Sequence, residues 1–179
     1  MTESQIEQYA LDILSNLGWQ ILHGPDIGPD GAAAERELRQ VVLPERLRSA
    51  LARLNPHIPE PALNEAMRRL TQISKPSLIE NNHEFHQLLV VGVPVQYRVS
   101  SGETKHDIVR VVDFTSPCNN DFAAVNQLTI LQGDYNRRPD IELFVNGLPL
   151  VVIELKNAAD TKADLVAAYQ QIQTYKREI

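Results

Sequence analysis

Two apolar runs separated by Asn146-Gly147 constrain the fold of this chain more than any other feature. Residues 141–145 and 150–155 are rich in Val, Ile, Leu and Phe, and these residue types favour strands. Asn-Gly between two such runs is a strong signal for a tight turn between antiparallel strands. The sequence therefore predicts a β-hairpin over these residues.

The rest of the chain predicts helices before the sheet and one helix after it. Apolar residues recur at helical spacing in residues 2–17, 32–54, 62–70 and 78–89, with Pro44 expected to break the second pattern, while 23–31 is typical of a loop. Residues 93–99, 108–114 and 122–131 predict strands, and 162–176 predicts a final helix with Leu165, Ala168, Ile172 and Tyr175 on one face. We predict an α/β fold with a mixed, mainly antiparallel central sheet flanked by helices and a helical N-terminal half.

Length and composition predict one domain over residues 1–179. The chain is 43% hydrophobic and 22% charged, which is typical of a globular protein. No apolar run is long enough to cross a bilayer and no signal pattern opens the chain, so we expect no membrane partner and a cytoplasmic location.

The single cysteine, Cys118, excludes an intramolecular disulfide and is expected to be a small buried or loop residue. The final helical pattern still runs at Ile179, which suggests an N-terminal fragment of a longer protein.

Two acids and a lysine stand at the ends of the predicted hairpin strands. Glu154 and Lys156 are two residues apart, so on a strand both project from one face, with Leu155 on the other. Asp140 precedes the first strand. If Asp140 lies next to Glu154, the two carboxylates supply the oxygen ligands that Mg²⁺ prefers. Such a metal would polarise a phosphodiester and activate water, and Lys156 would orient that water and balance developing charge.

The alternative for these residues is a solvated ion pair between Glu154 and Lys156, with Asp140 as a turn residue. A Glu-x-Lys tripeptide is common enough to favour that interpretation when it stands alone. Here it follows an apolar strand, with Pro139-Asp140 upstream and a turn between. The complete pattern favours the hydrolytic metal site.

The register of the hairpin decides whether the two acids meet. In a regular two-residue hairpin Val145 pairs with Leu148, and counting outward puts Asp140 opposite Ile153, so the carboxylates of Asp140 and Glu154 would face opposite sides. The metal site therefore requires a three-residue turn or a one-residue bulge between them. Pro149 has no N–H to donate, which favours a wider loop over a tight one.

Together these motifs resemble a known family, the N-terminal nuclease domain of the restriction (motor) subunit of type I restriction-modification enzymes. The resemblance covers nearly the whole chain, and it implies the PD-(D/E)xK nuclease fold. The matching segments are Gly24-Pro25-Asp26, Asn119-Asn120-Asp121-Phe122 with Asn126-Gln127, Arg138-Pro139-Asp140, Val145 to Leu150, Glu154-Leu155-Lys156-Asn157, and Gln171-x-x-x-Tyr175.

The resemblance implies a role for each residue of the site. Asp140 and Glu154 would be the metal-binding acids, Lys156 the catalytic lysine, and the backbone carbonyl of Leu155 a further metal ligand. Mg²⁺ would be the cofactor, with Mn²⁺ as an alternative.

The resemblance also implies supporting residues around that site. Gln171 and Tyr175 would form the auxiliary pair, and four-residue spacing places them on one helical face. Glu7 has two interpretations: the extra acid that related nucleases contribute from their first helix, or the acid of a Ser4-x-x-Glu7 capping box.

The family's activity is cleavage of double-stranded DNA after ATP-driven translocation. Helicase-like domains later in the same polypeptide drive that movement, and methyltransferase and specificity subunits complete the complex. The present chain contains no G-x-x-x-x-G-K-[ST] phosphate loop, so ATP would act only through the full-length subunit. The net charge of −6 leads us to expect that other domains deliver the DNA.

The remaining candidates are four basic or metal-ligating side chains outside the acid pair. Arg138, with Arg137 before it, could contact a phosphate as readily as form a solvated turn. His83 and His86 are three apart, which lacks the four-residue spacing of zinc hydrolases, so we predict structural roles for both.

Two other functions stay open from the sequence. The first is a non-catalytic docking or DNA-handling module that keeps the nuclease fold. The second is a helix-rich interaction protein in which Glu154-x-Lys156 is incidental. A sheet without an acidic pocket would favour the second.

Overall fold

The structure is a computed structural model, and it describes residues 2–72, 75–157 and 165–178. The chain forms two compact units. The sheet unit consists of Met1–Leu43 and Phe122–Ile179, and the helical unit consists of Pro44–Asp121. The start of the predicted final helix, at 162–164, lies outside the described residues.

In chain order the elements are α1 (Glu3–Asn16), β1 (Gln20–His23), α2 (Gly24–Ile27), α3 (Pro44–Leu54), α4 (Glu60–Thr71), α5 (Leu78–Val91), β2 (Val93–Arg98), β3 (Thr104–Val109), a 3-10 turn (Pro117–Asn119), β4 (Phe122–Asn126), β5 (Ile130–Gln132), β6 (Tyr135–Arg137), β7 (Ile141–Val145), β8 (Leu148–Ile153) and α6 (Leu165–Glu178). None of the helices in the described part of the chain combines the length and the apolar character that a membrane crossing requires.

The central sheet of the sheet unit has four strands in the order β1-β4-β7-β8. β1 pairs with β4 in parallel, whereas β4 with β7 and β7 with β8 are antiparallel. This confirms the predicted α/β class with a mixed, mainly antiparallel sheet. The parallel pair requires a long connection, and the helical unit lies within that connection in the sequence.

The two faces of the sheet carry different apolar clusters because side chains alternate along each strand. On the α1 face, Leu11 of α1 packs with Ala124 and Ile141. On the opposite face, which we call the Phe144 face, the buried cluster comprises Ile27, Leu43, Ala123, Val125, Leu128 and Phe144. The Phe144 face is the side from which Asp140 and Glu142 project, since both alternate with Ile141.

The N-cap of the first helix lies two residues before the predicted cap, Ser4. Thr2 is the N-cap residue: its hydroxyl accepts from the Gln5 backbone N–H, and the Gln5 side chain accepts from the Thr2 backbone N–H. The predicted capping box of Ser4 and Glu7 is therefore wrong, because Thr2 already satisfies the free N–H groups at the helix start.

Residues 32–43 were predicted to be helical, and the structure has no helix there. The cause is Arg36, which is buried and donates to the carbonyl oxygens of Gln40, Leu38 and Thr129. These bonds hold the segment in an irregular path. The helix predicted after Pro44 does form, with Pro44 as its first residue.

Two short strands were missing from the sequence-based prediction. β1 has four residues and lies just before the predicted loop, and β6 has three residues and pairs only with β5. Both are too short to show a periodic pattern.

In the helical unit, α4 and α5 lie where helices were predicted. One predicted strand of this unit does not form as expected. β3 ends at Val109, so the prediction of a strand over 108–114 is wrong. Asp113 instead accepts hydrogen bonds from the backbone N–H groups of Thr115 and Ser116 and from the Asn119 side chain. β2 and β3 form a separate two-stranded sheet.

Candidate active site

A bulge in the β7–β8 hairpin sets the position of the predicted acids. Asn146 and Gly147 form a tight turn with positive φ angles of 53° and 78°, and Val145 pairs with Leu148. Phe144 then pairs with Pro149 but Leu143 pairs with Val151, which leaves Leu150 as the extra residue. The predicted bulge is confirmed, and the wider loop expected from Pro149 is wrong, because the irregularity lies beyond the turn.

Beyond the bulge the register brings Asp140 and Glu154 together. Ile141 pairs with Ile153, so the next residues outward are Asp140 and Glu154. Ile153 and Leu155 pack against the cluster on the α1 face. Alternation therefore places Glu154 and Lys156 on the Phe144 face, together with Asp140.

The Asp140 residue is held at both its backbone and its side chain. Its carboxylate oxygen Oδ2 accepts a hydrogen bond of 2.7 Å from the backbone N–H of Leu155. Its carbonyl oxygen accepts a hydrogen bond of 3.1 Å from the backbone N–H of Gln127, which follows β4. Asp140 is thus tied to the strands on both sides of β7.

The Glu154 side chain is almost completely buried, with 1% of its surface exposed. Its Oε1 accepts a hydrogen bond of 2.7 Å from the Tyr175 hydroxyl. Its Oε2 lies 3.8 Å from the ammonium nitrogen of Lys156, and no hydrogen-bond donor for Oε2 exists among the described residues. A buried carboxylate oxygen without a donor is costly unless a cation compensates it.

The ionisation of Glu154 and Tyr175 follows from this environment. Burial raises the pKa of Glu154 and the nearby Asp140 carboxylate raises it further, while the Tyr175 hydroxyl and the Lys156 ammonium oppose the rise. Burial also raises the pKa of Tyr175 to about 12, so this hydroxyl stays protonated and donates to Glu154.

The last helix carries the two auxiliary residues that the resemblance implies. Gln171 donates from Nε2 to the Tyr175 hydroxyl oxygen over 2.7 Å, and that hydroxyl donates to Glu154. The shared helical face of Gln171 and Tyr175 is confirmed. Leu165, predicted to share one helical face with Ala168, Ile172 and Tyr175, is the first residue of α6 and is 86% exposed.

Glu7 lies in a separate polar cluster at the end of β4. Its two carboxylate oxygens accept hydrogen bonds of 2.6 and 3.0 Å from the side-chain amides of Asn126 and Gln127. The sequence analysis did not assign roles to these two amides, although their position directly at the end of an apolar strand was a signal. Because the backbone N–H of Gln127 also binds the Asp140 carbonyl, Glu7 is linked to Asp140 through Gln127.

The donor set of Asp140 and Glu154 fits a hard divalent cation. Mg²⁺ keeps several waters and takes one or two protein carboxylates. Oε2 of Glu154, which has no hydrogen-bond donor among the described residues, provides that set together with the nearby Asp140 carboxylate. Within the described ranges no group of three or more His, Cys, Asp or Glu residues that could hold a metal exists. Glu7 as an extra acid of the metal site stays a prediction.

The basic residues before Asp140 differ from each other. Arg137 forms an ion pair with Glu178 and lies 5.7 Å from the Tyr135 ring centroid, whereas Arg138 is exposed. Arg138 is thus the more exposed of the two and the more accessible to a phosphate.

Glu142 is a buried acid that the sequence analysis did not single out. It lies two residues from Asp140 on β7, is 1% exposed, and projects from the same face. Burial raises its pKa to about 7, and the positive charge of Arg36 opposes the rise. Its signal in the sequence was a charged residue inside an apolar strand.

Fold and site together define an α/β protein with a candidate divalent-metal centre at the end of a β-hairpin. The family model described as "Type I restriction enzyme R protein N terminus" matches residues 1–179. The chain belongs to this family.

Curated relatives agree with the family match. The chain is 44% identical over 181 residues to the type I restriction enzyme HindI endonuclease subunit of Haemophilus influenzae, a match that covers 100% of this chain and 17% of that relative. It is 30% identical over 156 residues to a putative type I restriction enzyme MjaIXP endonuclease subunit of Methanocaldococcus jannaschii, covering 85% of this chain and 15% of that relative. The chain thus spans about one sixth of the length of these relatives.

Proposed function

We propose that this chain is the nuclease domain of a type I restriction enzyme subunit, with the PD-(D/E)xK fold. Its reaction is metal-dependent hydrolysis of phosphodiester bonds in double-stranded DNA. The observation that carries the proposal is the meeting of Asp140 and Glu154 beside Lys156, with a buried oxygen of Glu154 that has no donor among the described residues.

Asp140 and Glu154 would hold the cofactor, Mg²⁺ or alternatively Mn²⁺, with the Leu155 carbonyl as a further ligand. The metal supplies Lewis-acid activation of the phosphate and of water. The hydrogen bond from the Leu155 N–H fixes Asp140, and the Tyr175 hydroxyl fixes Glu154. Positioning both acids before DNA arrives lowers the cost of organising the site during the reaction.

Lys156 would act on the reacting groups from the accessible side of the site. Its side chain is 22% exposed whereas that of Glu154 is 1% exposed, and its ammonium nitrogen lies 3.8 Å from Oε2 of Glu154. There it orients the attacking water and balances the negative charge that develops on the phosphate. Arg138, which is exposed, would contact the DNA backbone.

The wider activity belongs to the proposal as well. The relatives are named as endonuclease subunits of type I restriction enzymes. By extension, we expect partner methyltransferase and specificity subunits, helicase-like domains in the full-length subunit that consume ATP, and a cytoplasmic location. The net charge of −6 supports delivery of DNA by those other components.

The test is plasmid cleavage by the full-length subunit, assembled with its partners and supplied with ATP and Mg²⁺. We expect Asp140→Ala and Lys156→Ala to reduce cleavage by at least about 100-fold, while ATP consumption continues. The matched controls are Asp134→Ala and Lys105→Ala, which alter exposed residues and should cut normally. Normal cleavage by the two site variants would instead identify the domain as a non-catalytic DNA-handling module.

A further inference from the structure

Gln127, the residue after β4, has a backbone conformation that residues with a side chain rarely adopt. Its φ angle is 54°, in the left-handed region, where the Cβ of an L-residue is crowded by its own backbone. Asn146 has a similar angle but lies in the β7–β8 turn, which requires it. Gln127 lies in no such hairpin, since β4 and the next strand, β5, belong to different sheets. Its conformation therefore has to be held by other contacts.

The left-handed backbone of Gln127 directs its N–H at the main chain of a candidate metal ligand. That N–H donates a hydrogen bond of 3.1 Å to the carbonyl oxygen of Asp140. The carboxylate of Asp140 is fixed separately, by the hydrogen bond from the Leu155 N–H. Gln127 and Leu155 thus hold Asp140 between them, one through its main chain and the other through its side chain.

Two further contacts hold Gln127 itself. Its side-chain amide donates a hydrogen bond of 3.0 Å to Oε2 of Glu7. On its carbonyl side the backbone of Gly24 approaches so closely that a Cβ at Gly24 would lie 2.5 Å from the Gln127 carbonyl oxygen. Glu7 therefore fixes the side chain of Gln127 and Gly24 confines its carbonyl group, which leaves the N–H aimed at Asp140.

Glu7 is in turn oriented by the residue before Gln127. An ionised carboxylate can only accept hydrogen bonds, so Asn126 presents its amide N–H to Oε1 of Glu7 over 2.6 Å. The side-chain oxygen of Asn126 then lies 3.1 Å from Nδ1 of His23 and accepts from it. Each carboxylate oxygen of Glu7 thus has one amide donor, and the network leads from α1 to Asp140.

We propose that Gln127 is a positioning residue for the candidate metal site. Its amide, held by Glu7, stabilises the left-handed conformation that aims the backbone N–H at Asp140, and Asp140 thereby keeps its carboxylate near Glu154. The consequence for metal binding rests on the proposed function, whereas the positioning of Asp140 does not. The proposal also gives Glu7 a role that acts through Gln127, distinct from the predicted role as an acid of the metal site.

The first measurement is hydrogen exchange of the backbone amide at position 127, by NMR and without metal, in the 179-residue protein. Gln127→Ala loses the bond to Glu7 and keeps a crowded Cβ, so we expect about ten-fold less protection of this amide. Gln127→Gly loses the same bond but adopts positive φ without crowding, so its protection should stay within about three-fold of wild type. Unchanged protection in Gln127→Ala, or equal loss in the two variants, would overturn the proposal.

The matched controls are Gln132→Ala and Gln132→Gly. Gln132 is an exposed residue at the end of β5 without a positive φ. Neither change should alter the protection of the Gln127 amide, and a loss equal to that of Gln127→Ala would also contradict the proposal. If Gln127→Ala does not fold, which its amide spectrum shows directly, Gln127→Gly and its double variant with Glu7→Ala decide the question.

Calorimetric titration with Mg²⁺ then tests the consequence for the metal site. Gln127→Ala should bind Mg²⁺ about ten-fold more weakly than wild type, because only the positioned fraction of molecules binds, and Gln127→Gly should recover most of that loss. Glu7→Ala should weaken binding in wild type but not in Gln127→Gly, where its partner amide is already absent.

An equal loss from Glu7→Ala in both backgrounds would show that Glu7 is a direct ligand and would overturn its action through Gln127. If wild type itself does not bind Mg²⁺, the proposed function fails, while the exchange measurement still decides whether Gln127 positions Asp140.

Discussion

The Tyr175 hydroxyl donates a hydrogen bond to Oε1 of Glu154 and receives one from the Gln171 amide. A single helix thereby holds the buried acid of a β-hairpin in one orientation. Oε2 of the same carboxylate lies 3.8 Å from the Lys156 ammonium nitrogen and has no hydrogen-bond donor among the described residues.

Replacing Tyr175 with Phe should weaken the site without removing an acid. The variant loses the hydrogen bond that orients Glu154, so we expect DNA cleavage by the assembled enzyme to fall about ten-fold. The free energy of unfolding should fall by about 1 kcal/mol, the net value of one hydrogen bond. Tyr169→Phe is the matched control because Tyr169 lies on the same helix and is 63% exposed. Equal cleavage by the two variants would show that Tyr175 has no positioning role.

Added Mg²⁺ should stabilise the wild-type protein and leave Asp140→Asn unaffected. Two adjacent carboxylates repel each other, as the contribution of Asp140 to the raised pKa of Glu154 shows, and a bound cation removes that repulsion. At a metal concentration about 100 times the Kd, we expect a gain of about 2.7 kcal/mol in the free energy of unfolding. Thermal unfolding with and without EDTA measures this difference. The control variant Asp134→Asn should gain as much stability from Mg²⁺ as wild type does. An equal gain by Asp140→Asn would show that the metal binds elsewhere.

Gly24→Ala should disturb the site from a distance. A Cβ at Gly24 would lie 2.5 Å from the backbone carbonyl oxygen of Gln127, and Gln127 binds both the Asp140 carbonyl and Glu7. We expect a loss of about 1–3 kcal/mol in stability, together with reduced Mg²⁺ binding. The control is Gly28→Ala, because a Cβ there meets its nearest atoms at 3.6 Å. If both variants are equally stable, the close approach at Gly24 does not limit the fold.

Acid should destabilise the helical unit through Asp113. Hydrogen bonds from Asn119 and from the Ser116 backbone lower the pKa of Asp113, with a further contribution from Arg110. A lowered folded-state pKa means that the stabilisation is fully present above the unfolded value of about 3.9 and is lost as the pH falls through the folded value.

Amide hydrogen exchange of α3 and β3 between pH 7 and pH 3 checks this expectation. Protection in wild type should decrease toward the acid end, and Asp113→Asn should be less protected than wild type at pH 7, with the gap closing on acidification. Asp107→Asn tests specificity, since Asp107 lies in the same unit but outside this turn. A constant gap across the pH range would contradict the assignment to Asp113.

The sequence was sufficient wherever the cause of a structure is local. The Asn146-Gly147 turn follows from the ability of these residues to adopt positive φ, and the four-residue spacing of Gln171 and Tyr175 places them on one helical face. Asp140, Glu154 and Lys156 were predicted as candidate site residues for the same reason, because strand alternation and the flanking turn depend on neighbouring residues. The bulge was predicted as one of two ways for Asp140 and Glu154 to face the same side of the sheet. Its position at Leu150 was not predicted.

Tertiary structure decided what depends on residues far apart in the chain. Arg36 keeps residues 32–43 out of a helix by binding carbonyls up to Thr129, and Glu7 binds amides more than a hundred residues away instead of capping its own helix. Glu142 is buried because α6 and the segment near Val41 enclose it. Local patterns carry no information on such pairings, since each is set by which surfaces meet when the strands assemble.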